Sequence, residues 1–205
     1  MTTRLSVAVV LFEEFELLDV FGPLEMFGLL PEQFDIFLTA EKRDVVTSRQ
    51  GPKSVIDYRF ENCPVFDILM VPGGPGTRHE VDNPVLLAWL QSRAQVAQFV
   101  TSVCTGSALL ARAGLLDGRR ATTNKAAFEW VASQSEKVDW QKQARWVEDE
   151  HFFTSSGVSA GIDMSLALIA RLAGDEAAQQ VANSAEYEWH RDPAWDPFAI
   201  QCGLL

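Results

Sequence analysis

Cysteine and histidine are scarce in this chain, with three of each among 205 residues. Cys63, Cys104 and Cys202 are too few and of the wrong parity for a disulfide framework, and their spacing fits no zinc pattern. An odd count suits a reducing compartment. His79, His151 and His190 show no metal-ligand spacing, so no metal is expected and each reads as a surface or structural residue. Positive charge is short as well: 17 Lys+Arg face 28 Asp+Glu, a formal net charge of −11. A nucleic-acid partner needs a basic face to replace the counterions around phosphates, and these cations are scattered. The same deficit weighs against a polyanionic substrate and favours a small neutral or weakly polar one. Long apolar runs are missing too. Residues 5–12 form the apolar run nearest the N-terminus, too short to span a bilayer and followed by no small-residue cleavage site. No membrane partner and a cytoplasmic location are therefore expected.

What is present is an ordinary globular composition, 47% hydrophobic and 22% charged. One domain covering residues 1–205 is the simplest organisation, with no repeat, low-complexity tract or long linker. Strand and helix patterns alternate. The β-branched run 5–12 reads as a strand covered on both faces. An amphipathic segment over 16–30 follows, interrupted at Gly22-Pro23. Residues 34–39 read as a strand, 45–57 as short strands around Gly51-Pro52, and 67–71 as a buried strand ending in Pro72-Gly73-Gly74-Pro75-Gly76. Asn83-Pro84 opens a helix through 93, asparagine as cap and proline at the first helical position. A strand over 99–103, a helix over 107–115, a brief strand over 121–123 and a helix over 125–133 come next. Residues 145–148 and 151–155 pair as a hairpin, and helices over 160–172 and 175–189 complete the order. Strands separated by helices imply a mostly parallel sheet with helices on both faces, an α/β sandwich of flavodoxin-like type. The closing stretch 189–198 mixes aromatics with prolines and cannot be one regular helix. It either packs on its own domain or contacts a second subunit.

The stretch Val103-Cys104-Thr105-Gly106-Ser107 carries the strongest chemical signal. A strand runs into cysteine and turns into a helix, a nucleophile elbow like that of the α/β-hydrolases. Unpaired N–H groups in the first helical turn favour negative charge, so the thiol pKa is expected to fall. The competing reading is a small inert core residue. Asp19, in Leu17-Leu18-Asp19-Val20-Phe21, is a carboxylate among apolar neighbours. Burial and a nearby thiolate would raise its pKa, making it a general acid or base; equally it can bond the following turn. Gly73 and Gly74, at the end of a neighbouring strand, can offer N–H groups as an oxyanion hole, although a tight turn is the default. Thr105 can orient substrate or water with its hydroxyl, or bond locally at the helix start. His79 is the histidine held in reserve. Asp163 reads as structural, in the first turn of a helix, while Cys63 and Cys202 read as incidental.

Together Leu18-Asp19-Val20-Phe21-Gly22-Pro23, Val71-Pro72-Gly73-Gly74, Val103-Cys104-Thr105-Gly106, Ala121-Thr122-Thr123-Asn124 and the stretch from Gly157 to Asp163 resemble the ThiJ/PfpI superfamily. That group is class I glutamine amidotransferase-like, and the likeness covers residues 4–190. Asp19 as the acidic partner, and Thr105 after the nucleophile, point to its isocyanide hydratase branch. The resemblance implies a cofactor-free enzyme in which Cys104 attacks the terminal carbon of an isocyanide. Asp19 would supply the proton and steer water, and Gly74 and Thr105 would contribute polar contacts. Hydrolysis of the thioimidate would give an N-substituted formamide. It also implies a homodimer with pockets near the interface. Relatives often carry histidine where this chain has Asn124, a possible polar pocket residue that cannot relay protons near neutral pH. The alternatives are glyoxalase or deglycase work on small aldehydes, and a redox or ligand sensor in which Cys104 oxidises. No helix-turn-helix segment follows the domain in this sequence, which argues against direct transcriptional control.

Overall fold

The computed structural model describes residues 4–42 and 44–205; residues 1–3, the expected lead into the first strand, lie outside it. The elements run β1 (Leu5–Val10), α1 (Leu17–Gly28), β2 (Phe34–Ala40), β3 (Val45–Thr47), β4 (Lys53–Val55), β5 (Tyr58–Arg59) and β6 (Ile68–Val71). They continue as α2 (Thr77–Glu80), α3 (Pro84–Ala94), β7 (Phe99–Ser102), α4 (Gly106–Arg112), β8 (Arg120–Ala121), α5 (Phe128–Ala132) and β9 (Asp139–Trp140). Last come β10 (Trp146–Asp149), β11 (Phe152–Ser155), α6 (Ala160–Ala173), α7 (Asp175–Ser184) and α8 (Phe198–Gln201).

Seven strands form the main sheet in the order β10-β11-β7-β6-β1-β2-β5. Every pairing is parallel except the β10–β11 hairpin, which adds an antiparallel edge. The central strands β1 and β6 are wholly apolar where they pair, and Val7 to Val10 and Ile68 to Val71 are buried on both faces. The chain moves from β1 to β2 in one direction and from β6 to β7 in the other. Right-handed crossovers therefore send their helices to opposite faces. Accordingly α1 packs with α6 and α6 with α7, while α4 packs with α2, α3 and α5. The reversal between β1 and β6 is a topological switch point, and ligands in such sheets sit beyond the carboxyl ends of the strands there. Asp19 follows β1, Gly73 and Gly74 follow β6, and Cys104 follows β7.

Several expectations change in detail. Gly22-Pro23 does not interrupt its segment: α1 runs through it as one helix with Pro23 inside. The glycine is a packing residue, because a Cβ there would lie 2.8 Å from Ile162 Cγ1 on α6. Asn83 caps α3 as expected, its side chain accepting from Val85 N at 3.0 Å and Leu86 N at 3.3 Å. The final long helix stops at Ser184 instead of 189, after which Glu186 adopts φ 50° and the chain turns back. The closing segment packs on its own domain and contains the short helix α8, which periodicity over so few residues cannot announce.

Candidate active site

Cys104 occupies the turn between β7 and α4 with φ 57°, the left-handed region that costs a non-glycine residue roughly 1–2 kcal/mol. The surroundings hold it there. Its N–H donates to Ser156 O at 3.2 Å, and its carbonyl accepts from Thr123 Oγ1 at 2.9 Å and Ser107 Oγ at 3.2 Å. Gly106 must be glycine because a Cβ would run into the Val71 and Pro72 carbonyls at the end of β6. The elbow thus depends on three segments distant in sequence, those around Thr123, Ser156 and Pro72.

Asp19, in the first turn of α1, is fully buried and accepts from Gly73 N at 2.9 Å through Oδ2. The Cys104 thiol stabilises the carboxylate by side-chain hydrogen bonding, while Oδ1 meets no partner at full hydrogen-bond geometry among the described residues. Burial pushes the Asp19 carboxyl up to about 8, assisted by the charge of Glu16 and opposed by Gly73 N–H and the thiol. The expected rise in this acid is present.

The expected fall in the thiol is not. Burial raises Cys104, and the charge of Asp19 raises it further. The N–H groups of Thr105 and Val158 and the side chain of Asn124 act in the opposite sense but do not win. The physical reason lies in the balance: α4 has only seven residues, the sulfur is almost fully enclosed, and a carboxyl shares its cavity. Acid and thiol therefore titrate as one coupled pair that holds its protons near neutral pH.

Gly73 and Gly74 sit where the sequence places them, yet their N–H groups are already engaged. Gly73 N serves Asp19, and Gly74 N donates to Thr105 Oγ1 at 3.0 Å. They orient the acid and the threonine, and the N–H groups aimed at the sulfur are those of Thr105 and Val158. Gly73 is also required sterically, since a Cβ would lie 2.5 Å from Thr105 N and 2.9 Å from Asp19 Oδ2. Thr105 is buried and joins a hydroxyl cluster that sequence reasoning missed: Thr77 Oγ1 lies 3.1 Å from Thr105 Oγ1 and 2.7 Å from Gly74 O. The Pro-Gly-rich stretch before Thr77 reads as a turn and hides that role.

Asn124 accepts from Ala127 N at 3.0 Å through Oδ1 and donates its amide toward the sulfur. A Cβ at Gly157 would collide with that amide. Val158 presents its N–H to the sulfur at φ 47°, an uncommon conformation for a β-branched residue. Asn124 and Val158 also line a cleft of about 230 Å³, which Phe198 and Cys202 of the C-terminal segment line as well. Cys202, read as incidental from the sequence, lines this cleft. Cys63 is buried, and His79 is exposed on α2. Among the described residues no group of three or more His, Cys, Asp or Glu can hold a metal.

A buried ion pair supports the loop opposite Cys104. Arg145 bonds Asp163 Oδ2 through Nε at 2.7 Å, and Asp163 Oδ1 accepts from Tyr187 OH at 3.1 Å and His190 N at 2.9 Å. The Arg145 carbonyl accepts from Ser156 N at 2.8 Å, and Ser156 in turn receives the Cys104 N–H. Asp163 is structural as expected, but through Arg145 and not through the helix dipole. Nothing local in the sequence joins residues so far apart.

The chain is 37% identical over 183 residues to the isonitrile hydratase of Pseudomonas putida, covering 89% of this chain and 78% of that protein. It is 32% identical over 151 residues to the HTH-type transcriptional regulator GbdR of Pseudomonas aeruginosa, covering 74% of this chain but only 40% of the regulator. Among solved structures, a ThiJ/PfpI family protein from Pseudomonas syringae superposes with a TM-score of 0.84 at 30% identity, covering 98% of this chain and 85% of that one. The DJ-1/PfpI family model matches residues 5–171, a span that contains Asp19, Gly73, Gly74, Cys104, Thr105 and Asn124, and the chain therefore belongs to the DJ-1/PfpI family.

Proposed function

We propose that the protein hydrates small isocyanides to N-substituted formamides through a Cys104 adduct. The observation that carries this reading is the enclosed Cys104–Asp19 pair, which retains its protons near neutrality. Addition of a thiol to an isocyanide places both sulfur and hydrogen on the same carbon, so a neutral pair suits it better than a free thiolate. Asp19 gives its proton to the terminal carbon and takes the thiol proton as the S–C bond forms, leaving the thioimidate R–N=CH–S–Cys104. Water then adds to that carbon, with Asp19 relaying one proton from water to nitrogen. Collapse breaks the C–S bond, returns the thiol its proton and releases R–NH–CHO. Atoms and charge balance without a cofactor.

Similarity to an isonitrile hydratase over most of both chains supports the same reaction. Asn124 beside the sulfur offers a hydrogen bond where a histidine would offer a proton relay, which does not favour a Cys-His aldehyde chemistry. Enclosure works against the sensor alternative too, since oxidation follows thiolate character and exposure. The test is turnover of cyclohexyl isocyanide and of methylglyoxal by the wild type and Cys104→Ala. Formamide production that vanishes in Cys104→Ala is the expected result. Full activity in that variant, or turnover of methylglyoxal alone, overturns the proposal.

A further inference from the structure

A helix of four residues is not stable by its own hydrogen bonds, so α8 must be held by its surroundings. Pro193 O, upstream of it, accepts from Arg145 N at 2.8 Å, and Asp196 N donates to Gln143 O at 2.8 Å. Asp196 is wholly buried, and its Oδ1 accepts from Phe198 N at 3.0 Å at the start of the helix. Its Oδ2 has no hydrogen-bond partner among the described residues, and the buried Lys125 ammonium interacts with Asp196 through charge. Lys125 is itself fixed, donating from Nζ to Thr122 Oγ1 at 2.8 Å and Ala144 O at 2.6 Å. Removing Lys125 would leave a buried carboxylate without a compensating charge, so the pair pins α8 in place.

Held there, Phe198 lines the cleft together with Asn124 and Val158, the residues that hydrogen-bond the thiol. Phe198 is 49% exposed, so part of its apolar surface stays free, whereas Cys104 is enclosed. A cleft of about 230 Å³ exceeds the ~150 Å³ cavity that accepts a benzene ring, so a six-membered ring fits beside it.

We propose that Phe198 is a specificity-determining residue, the wall against which the apolar substituent of the isocyanide packs, with Asp196 as its positioning residue. This rests on the isocyanide reading above. A purely structural α8 would affect all substrates alike, whereas a wall changes their ranking. The experiment measures kcat/KM for methyl, tert-butyl and cyclohexyl isocyanide with the wild type, Phe198→Ala and Phe198→Leu. In parallel, mass spectrometry follows alkylation of the Cys104 peptide by N-methylmaleimide and N-cyclohexylmaleimide. Phe198→Ala is expected to lower the cyclohexyl-to-methyl ratio of kcat/KM about tenfold, chiefly through KM, and Phe198→Leu to recover most of it. Equal loss for all three isocyanides, or an unchanged ratio, overturns the proposal. If the wild type hydrates none of them, the maleimide ratio decides. A ratio altered by Phe198→Ala then keeps the wall and rejects the reaction, and an unaltered ratio rejects both.

Discussion

At Cys104, backbone donors that favour a thiolate compete with enclosure and a neighbouring carboxyl that oppose it, and the second pair of effects prevails. Two predictions belong to this scale. In the proposed reaction the active form carries the Asp19 proton, so kcat/KM should be level below about pH 8 and fall with one-proton slope above it. Asp19→Asn, which can neither give nor take the proton, should lose about 10²–10⁴-fold in kcat/KM. A profile that rises through pH 8 would assign Asp19 the role of base instead. The same raised carboxyl governs stability. Its folded value lies above the unfolded 3.8, so its contribution is fully present below about pH 4 and is lost as pH climbs toward 8. Over that window the wild type should lose about 1.4 kcal/mol per pH unit relative to Asp19→Asn. Urea unfolding of both proteins at several pH values reads this directly, and parallel curves would contradict it.

Between elements, the site depends on how closely the ends of β6 and β7 approach. Gly73→Ala would place a Cβ 2.5 Å from the Thr105 backbone N, with both strands locked in the sheet. The expected cost is about 1–3 kcal/mol of stability. Displacing Thr105 and the acid should also reduce kcat/KM about 10²-fold, a loss larger than the fraction unfolded explains. The Arg145–Asp163 pair connects α6 and the returning chain at Tyr187 and His190 to the Ser156 loop. Asp163→Ala leaves a buried guanidinium uncompensated and should cost about 3–5 kcal/mol. Replacing both partners with apolar residues, Arg145→Met with Asp163→Leu, should recover much of it. A double variant as unstable as the single one would show that the hydrogen bonds to Tyr187 and His190 matter more than the charge.

For the whole molecule, the formal net charge is −11. The likeness to the HTH-type regulator spans 40% of that protein. No helix among the described residues is long and apolar enough to cross a membrane. Leu18 and Phe21 are exposed neighbours on α1, on either side of buried Asp19 and Val20. We propose that a second copy of the chain covers them, in keeping with the homodimer that the family resemblance implies. Sedimentation should give a dimer for the wild type and a monomer for Phe21→Glu. A wild-type monomer at micromolar concentration would refute this.

The order of strands and helices was legible in the sequence because each depends on local pattern: continuous apolar runs at β1 and β6, an Asn-Pro cap at α3, a strand running into Cys104. That Gly73 and Gly74 could face the same crevice as Cys104 was legible because both lie at strand ends, and the structure brings Asp19 and Thr105 to the same place. Gly22-Pro23 misled, since a glycine needed for contact with α6 looks the same as a helix breaker. What tertiary structure alone decided is the state of the sulfur and the shape of the space before it. Charge depends on enclosure and on neighbours from other segments, and neither Val158, Thr77, Arg145 nor Phe198 is near Cys104 along the chain. The sequence by itself determined which groups could react; only their three-dimensional surroundings set which of them keeps its proton, because desolvation and close charge act through space.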